Sequence, residues 1–164
     1  MTEERSQLRK KWKKEISAGG IVFKKQDGRA FVLMIMPRKR VEMKDPLFVP
    51  AWTFPKGWVG DHGEETLEQT ATREIREEGG VNGKIIDKLG EVKYFFKWQG
   101  DDIFKTVHVY LLEYIDGDPN DHDKEVDVAK WFDIKEAGEF LKYKADKDML
   151  RKAQAIIKIN GNIR

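Results

Sequence analysis

Glu74, Glu77 and Glu78 are the residues whose types and spacing most directly imply chemistry. At i, i+3 and i+4 of a helix their carboxylates emerge on one face, where like charges repel and weaken an isolated helix. A divalent cation reverses that sign, since hard ions such as magnesium and manganese are held by carboxylate oxygens. Arg73 stands immediately before them, and its guanidinium fork suits a bracing role through charge-assisted hydrogen bonds to Glu65 or Glu77. Paired glutamates on a helix usually mean only a solvated face, so the surrounding pattern has to carry the argument.

That pattern predicts a helix. Thr66 followed by Gln69 is a capping-box signature. Leu67, Ala71 and Ile75 recur every fourth residue as a core-facing stripe, and Gly79-Gly80 stops the helix. Upstream, Phe54-Pro55-Lys56-Gly57 leads towards it, and Lys56 is a mobile point charge suited to phosphate. Arg38, Lys39 and Arg40 lie in a loop-like stretch from Pro37 to Pro50 and are further candidates to grip phosphate. Trp52, Tyr94, Phe96 and Trp98 are available to stack on a base.

The stretch from Glu65 to Val81 resembles the Nudix box, G-x5-E-x7-R-E-U-x-E-E-x-G-U, where U is a bulky aliphatic residue. Glu65, Arg73, Glu74, Ile75, Glu77, Glu78, Gly80 and Val81 fall on specified positions. The pattern's opening glycine falls on Val59. Gly57 resembles the family's glycine, which makes Gly60-Asp61-His62-Gly63 part of a lengthened loop. Phe-Pro-Lys-Gly and the strand Lys105-Thr106-Val107-His108 resemble the diadenosine polyphosphate hydrolases of this family.

The resemblance extends over residues 17–158 and implies an α/β fold, an α/β/α sandwich with a mixed β-sheet between helices. It implies hydrolysis of a pyrophosphate bond in a nucleoside diphosphate linked to another moiety, with diadenosine polyphosphates as the leading substrate. ADP-ribose, oxidised nucleotides, an RNA 5′ end and a sensor that does not cleave are the alternatives. It places Mg²⁺ or Mn²⁺ on Glu74, Glu77, Glu78 and the backbone of Gly57. Glu77 or Glu125 would deprotonate water, and Lys56, Lys105, His108, Trp52 and Arg38 would meet substrate.

The elements that must position these groups are legible as well. Ser17–Phe23 and Phe31–Met36 read as buried strands joined by a turn at Asp27-Gly28. Lys84–Phe96 and Phe104–Tyr114 read as two more, separated by a turn over Trp98–Asp102. On the second, period two puts Lys105, Val107, Val109 and Leu111 on one face and Thr106, His108, Tyr110 and Leu112 on the other. Asp133 caps a short helix reaching Leu141, and Met149, Ala153 and Ile156-Ile157 mark another. Gly117–Lys124 is an acidic loop without the order of a calcium-binding loop.

At 164 residues the chain accommodates one domain, read as 16–160, behind a basic lead-in over 1–15 that reads as a frayed, solvated helical or disordered segment, with a basic arm touching a polyphosphate or RNA as the alternative. Charged residues make up 37%, mean hydropathy is −0.66 and net charge is +2. That balance argues for a soluble protein and against nucleic acid or membrane as a general partner. With no cysteine, no apolar run of spanning length and no leader-like segment, a cytoplasmic location is the expectation. The substrate is expected to be a small nucleotide, and oligomeric state is left open.

Overall fold

The apolar run from Ala18 to Phe23 forms the centre of the molecule, and the sheet is built outward from it. The structure, a computed structural model, describes residues 12–38, 49–60 and 62–159. Its strands are β1 (Trp12–Gln26), β2 (Arg29–Pro37), β3 (Lys56–Trp58), β4 (Val81–Trp98), β5 (Asp101–Gly117) and β6 (Val126–Asp133). The helices are α1 (Leu67–Gly79), α2 (Ala137–Phe140) and α3 (Lys144–Ile159).

The sheet order is β4-β5-β1-β2-β6, with β3 also paired to β1. β1 runs parallel to β5 and antiparallel to β2 and β3, so the sheet is mixed. Asp27 and Gly28 both take positive φ, 52° and 76°, which is the hairpin geometry that an Asp-Gly pair favours.

One sheet face buries Ala71 and Ile75 of α1 with Leu33, Ile35, Val81 and Leu112. The other buries Met149, Leu150, Ala153 and Ile157 of α3 with Ile21, Val32, Val109 and Leu111. Each fully buried Leu, Ile or Val among these contributes about 1.5–3 kcal/mol through its removal from water. Two cores on opposite faces of one sheet give the α/β/α sandwich.

Three local expectations are corrected. Residues 12–15 are strand, not a helical lead-in, because β1 pairs with β5 from Trp12↔Asp102 onward. Lys13 bonds Asp101 at 2.7 Å and the Trp12 ring sits 5.7 Å from that of Phe95, contacts that outweigh local propensity. The turn between β4 and β5 is only Gln99-Gly100, both at positive φ, so Asp101 and Asp102 are already strand. Asp133 accepts the Lys135 amide at 2.9 Å in a turn, and the helix that follows is Ala137–Phe140 alone. Residues 1–11, with Lys39 and Arg40 of the basic loop, lie outside the described residues.

Candidate metal and nucleotide site

The site is organised by α1. The capping box forms as the sequence predicts: the Gln69 amide donates to Thr66 Oγ1 at 3.1 Å, and the Thr66 amide to Gln69 Oε1 at 3.0 Å. At the other end Gly80 takes φ 75°, the left-handed cap a glycine adopts without strain. Between these ends Ala71 and Ile75 fix the helix's rotation, and that rotation aims Arg73 and the glutamates at β3.

Arg73 is nearly buried and spends its fork on three carboxylates. Its Nε donates to Glu65 Oε2 at 2.8 Å and its Nη2 to Glu65 Oε1 at 2.9 Å. Its Nη1 reaches Glu74 Oε1 at 2.9 Å and Glu77 Oε2 at 3.1 Å, and Nη2 also meets the Trp58 carbonyl at 3.3 Å. The bracing expected for Glu65 or Glu77 thus reaches both, and Glu74 as well. The Arg73 bonds hold the Glu65 carboxyl below its ordinary pKa.

Glu78 is tied differently: its Oε1 accepts the backbone amide of Lys56 at 2.8 Å. Gly57, the next residue, lies so close to Glu74 that a Cβ there would overlap the carboxylate. Burial pushes Glu74 up to about 7, against the pull of Arg73, and pushes Glu78 up to about 8, against the Lys56 amide. Among the described residues, no three acidic or histidine side chains converge on one metal-sized point. The carboxylates spread instead towards the nearest donors, Arg73 and Lys56.

Two further carboxylates approach from the loop before β6. The Asp123 amide donates to the Glu77 carbonyl at 2.7 Å, which docks that loop against the end of α1. From there Asp123 and Glu125 both raise the pKa of Glu78, and Glu125 that of Glu74. Glu125 is thereby brought to the cluster. The sequence does not single out Asp123; its only signal is an acidic residue two places before Glu125, in an acidic loop without the order of a calcium-binding loop.

On the other side of Lys56 opens a cavity of about 540 Å³ lined by Pro37, Ala51, Thr53, Lys56, Tyr94, Phe95, Phe96, Lys105 and Tyr143. Lys56 Nζ lies 5.4 Å from the centre of the Tyr94 ring. Lys105 is half-buried, and burial and then Lys56 lower its pKa. Thr53 Oγ1 donates to Asp146 Oδ2 at 2.7 Å, and burial raises that carboxyl's pKa. Asp146 carries no site signal in the sequence, since nothing local marks a contact across 93 positions.

Lys56, Lys105, Tyr94 and Phe96 are therefore brought together, and three other expectations are not met. His108 lies on the opposite sheet face from Lys105, with its Nδ1 2.9 Å from Lys88 Nζ and 3.4 Å from Glu91. Trp52 packs edge-on against Phe132 at 4.9 Å in the α3-side core. Arg38 pairs with Asp127 at 2.9 Å, although its backbone amide bonds the Glu125 carbonyl.

This fold and this glutamate-bearing helix define the class: the chain belongs to the NUDIX domain family, whose profile matches residues 13–153. Members of that family generally use divalent metal ions. Among relatives, a Mycobacterium tuberculosis protein named for a mutator role, MutT4, is 36% identical over 143 residues. The match covers 87% of this chain and 56% of that relative, so this chain spans little more than half of the relative's length. The NUDIX domain of Shewanella oneidensis NrtR, in complex with ADP ribose, superposes with TM-score 0.67 at 17% identity, covering 96% of this chain and 99% of that one. A Caenorhabditis elegans Ap4A hydrolase binary complex gives 0.62 at 22% identity, covering 88% and 98%. At these identities both likenesses establish the fold. Among the described residues, no helix is long and apolar enough to cross a membrane.

Proposed function

We propose that this chain is a divalent-metal-dependent pyrophosphohydrolase acting on a nucleotide, with diadenosine polyphosphates as the leading substrates. The observation that carries the reading is the double engagement of Lys56. Its amide holds Glu78, and its ammonium stands over Tyr94 in the wall of the cavity. A base seated among Tyr94, Phe96 and Tyr143 would therefore have phosphates at Lys56 and Lys105 and a phosphorus beside the glutamates. Phe54-Pro55-Lys56-Gly57 and Lys105 support the dinucleoside choice.

The residues fit a divalent cation. Their donors are carboxylate oxygens, and the missing Cβ at position 57 lets the Glu74 carboxylate lie against the backbone there. Glu74, Glu77 and Glu78 would hold the ion, with Asp123 and Glu125 adjoining. When bound, such an ion neutralises phosphate charge and acidifies water.

The chain's own residues do the rest. Arg73 fixes the rotamers of Glu65, Glu74 and Glu77, so these carboxylates are oriented before a cation and substrate arrive. Lys56 and Lys105 bind phosphate oxygens, and the aromatic wall excludes water around the base. Glu77 or Glu125 accepts the proton of the attacking water on a carboxylate oxygen.

The test is kcat/KM for diadenosine tetra- and hexaphosphate, ADP-ribose, 8-oxo-dGTP and a 5′-triphosphorylated RNA, with magnesium and with EDTA. The dinucleoside substrates should lead, and EDTA should abolish turnover. ADP-ribose or the oxidised nucleotide more than tenfold ahead would remove the dinucleoside choice. Binding without turnover of any of them would leave a sensor.

A further inference from the structure

The lengthened loop between β3 and α1 carries an imidazole to the carboxylate cluster. His62 Nε2 lies 3.6 Å from Glu77 Oε1, while Glu77 Oε2 is held by Arg73 Nη1 at 3.1 Å. Glu77 is thus divided, with one oxygen on the guanidinium and the other facing the ring. The His62–Glu77 separation is too long for a hydrogen bond, so the contact does not commit Nε2. The side chain is 58% exposed and free to adjust.

We propose that His62 is a nitrogen ligand to the divalent cation of this site, an inference that rests on the metal-dependent reading above. Adjacent ligands of an octahedral ion bound at about 2.1 Å are about 3.0 Å apart. A separation of 3.6 Å between His62 Nε2 and Glu77 Oε1 is close enough for one ion to gather both with a small side-chain movement. An imidazole also changes the site's preference. Carboxylates alone suit magnesium and manganese alike, whereas an added neutral nitrogen donor is tolerated better by a first-row transition ion such as Mn²⁺ than by Mg²⁺. Its consequence is selectivity for Mn²⁺ over Mg²⁺, built into the loop insertion.

The experiment uses the full chain loaded with Mn²⁺ and electron spin-echo envelope modulation, which detects ¹⁴N bound to the ion whether or not the enzyme turns over. The wild type should show nitrogen coupling. His62→Gln keeps the side chain polar but removes the ring, and should abolish that coupling. It should also weaken Mn²⁺ binding by at least about tenfold, with a smaller change for Mg²⁺. A thermal melt checks that the variant is folded, which an exposed loop position should allow.

Absence of nitrogen coupling in the wild type, or its persistence in His62→Gln with an unchanged Mn²⁺/Mg²⁺ ratio, would overturn the proposal. Glu78→Gln separates this from failure of the site itself. If Glu78→Gln binds Mn²⁺ as tightly as the wild type, the carboxylate site is wrong and His62 falls with it. If Glu78→Gln loses the ion while His62→Gln does not, only the His62 assignment falls.

Discussion

Gly57→Ala is the sharpest perturbation the geometry offers. Position 57 is not among the glycines at positive φ, so its backbone accepts alanine without conformational strain. On that count alone the substitution would stabilise by about 0.4–1 kcal/mol through the unfolded chain. The new methyl, however, would overlap Glu74 Cδ and both its oxygens. These atoms are the far end of a flexible side chain, so they can move; moving breaks the Arg73–Glu74 pair, whose members are 9% and 8% exposed. A hydrogen bond to a charged group is worth about 1.5–3 kcal/mol, which exceeds the entropic gain.

The net expectation is a loss of about 0.5–2.5 kcal/mol, or roughly 1–10 °C in Tm for a chain of this size. Melting in EDTA measures it without the metal's contribution. Metal titration and kcat should show the larger effect, since a displaced Glu74 no longer presents its oxygens beside Glu77. A double-mutant cycle isolates the cause: in a Glu74→Ala background the added methyl meets no carboxylate, and Gly57→Ala should then cost nothing. If Gly57→Ala keeps the wild-type Tm and metal affinity, or if the cycle is additive, the argument from Gly57 to Glu74 is refuted.

Lys56→Ala removes the ammonium but keeps the amide on Glu78, so KM should rise more than kcat falls; an unchanged KM with the leading substrate would take Lys56 out of the phosphate path. Glu74 and Glu78 have folded pKa values raised to about 7 and about 8 from 4.5, so over that window the folded chain holds protons that the unfolded chain has released. Stability in EDTA therefore falls as pH rises through it, and Tm measured from pH 5 to 8.5 should drop, whereas a flat or rising profile would contradict the burial of these groups. Glu78→Gln keeps the shape and removes the charge, so it should flatten that slope and lower metal-dependent turnover by about 10²-fold or more, the scale of losing one major electrostatic contribution.

What could be read from the sequence was what is local to the chain. The capping box at Thr66, the buried stripe at Ala71 and Ile75, the stop at Gly80 and the bracing by Arg73 each depend on residues within about three turns of one helix. The cavity is different. Its wall takes residues from β2, the segment before β3, β4, β5 and the lead into α3, and no spacing rule connects Pro37 with Tyr143. Asp123 and Asp146 escaped for the same reason, since each became significant only when a distant element packed on it. Trp52 and Arg38 were chosen by type, and their partners Phe132 and Asp127 could not be inferred from type.

The division between Lys105 and His108 shows how far alternation goes. Period two separated them correctly but not which face held the cavity. That depends on register: β1 places Glu15 opposite Lys105 and Ala18 opposite His108. Val107 and Val109 join the α3-side core, whereas Ala18 and Tyr110 join the α1-side core. A slip of one residue between β1 and β5 would exchange every one of these assignments.

The glutamates nevertheless belong to α1, on the face opposite the cavity that Lys105 enters. The two are joined where β1 changes neighbours, pairing with β3 over Ser17–Gly19 and with β2 over Phe23–Gln26. Between these pairings the Gly20 amide bonds the Pro55 carbonyl at 3.1 Å, which holds the Pro55-Lys56 segment across the gap. Lys56 can therefore present its amide to Glu78 on one side and its ammonium to Tyr94 on the other. Lys56 thereby links the glutamate-bearing face of the sheet to the cavity on its other face.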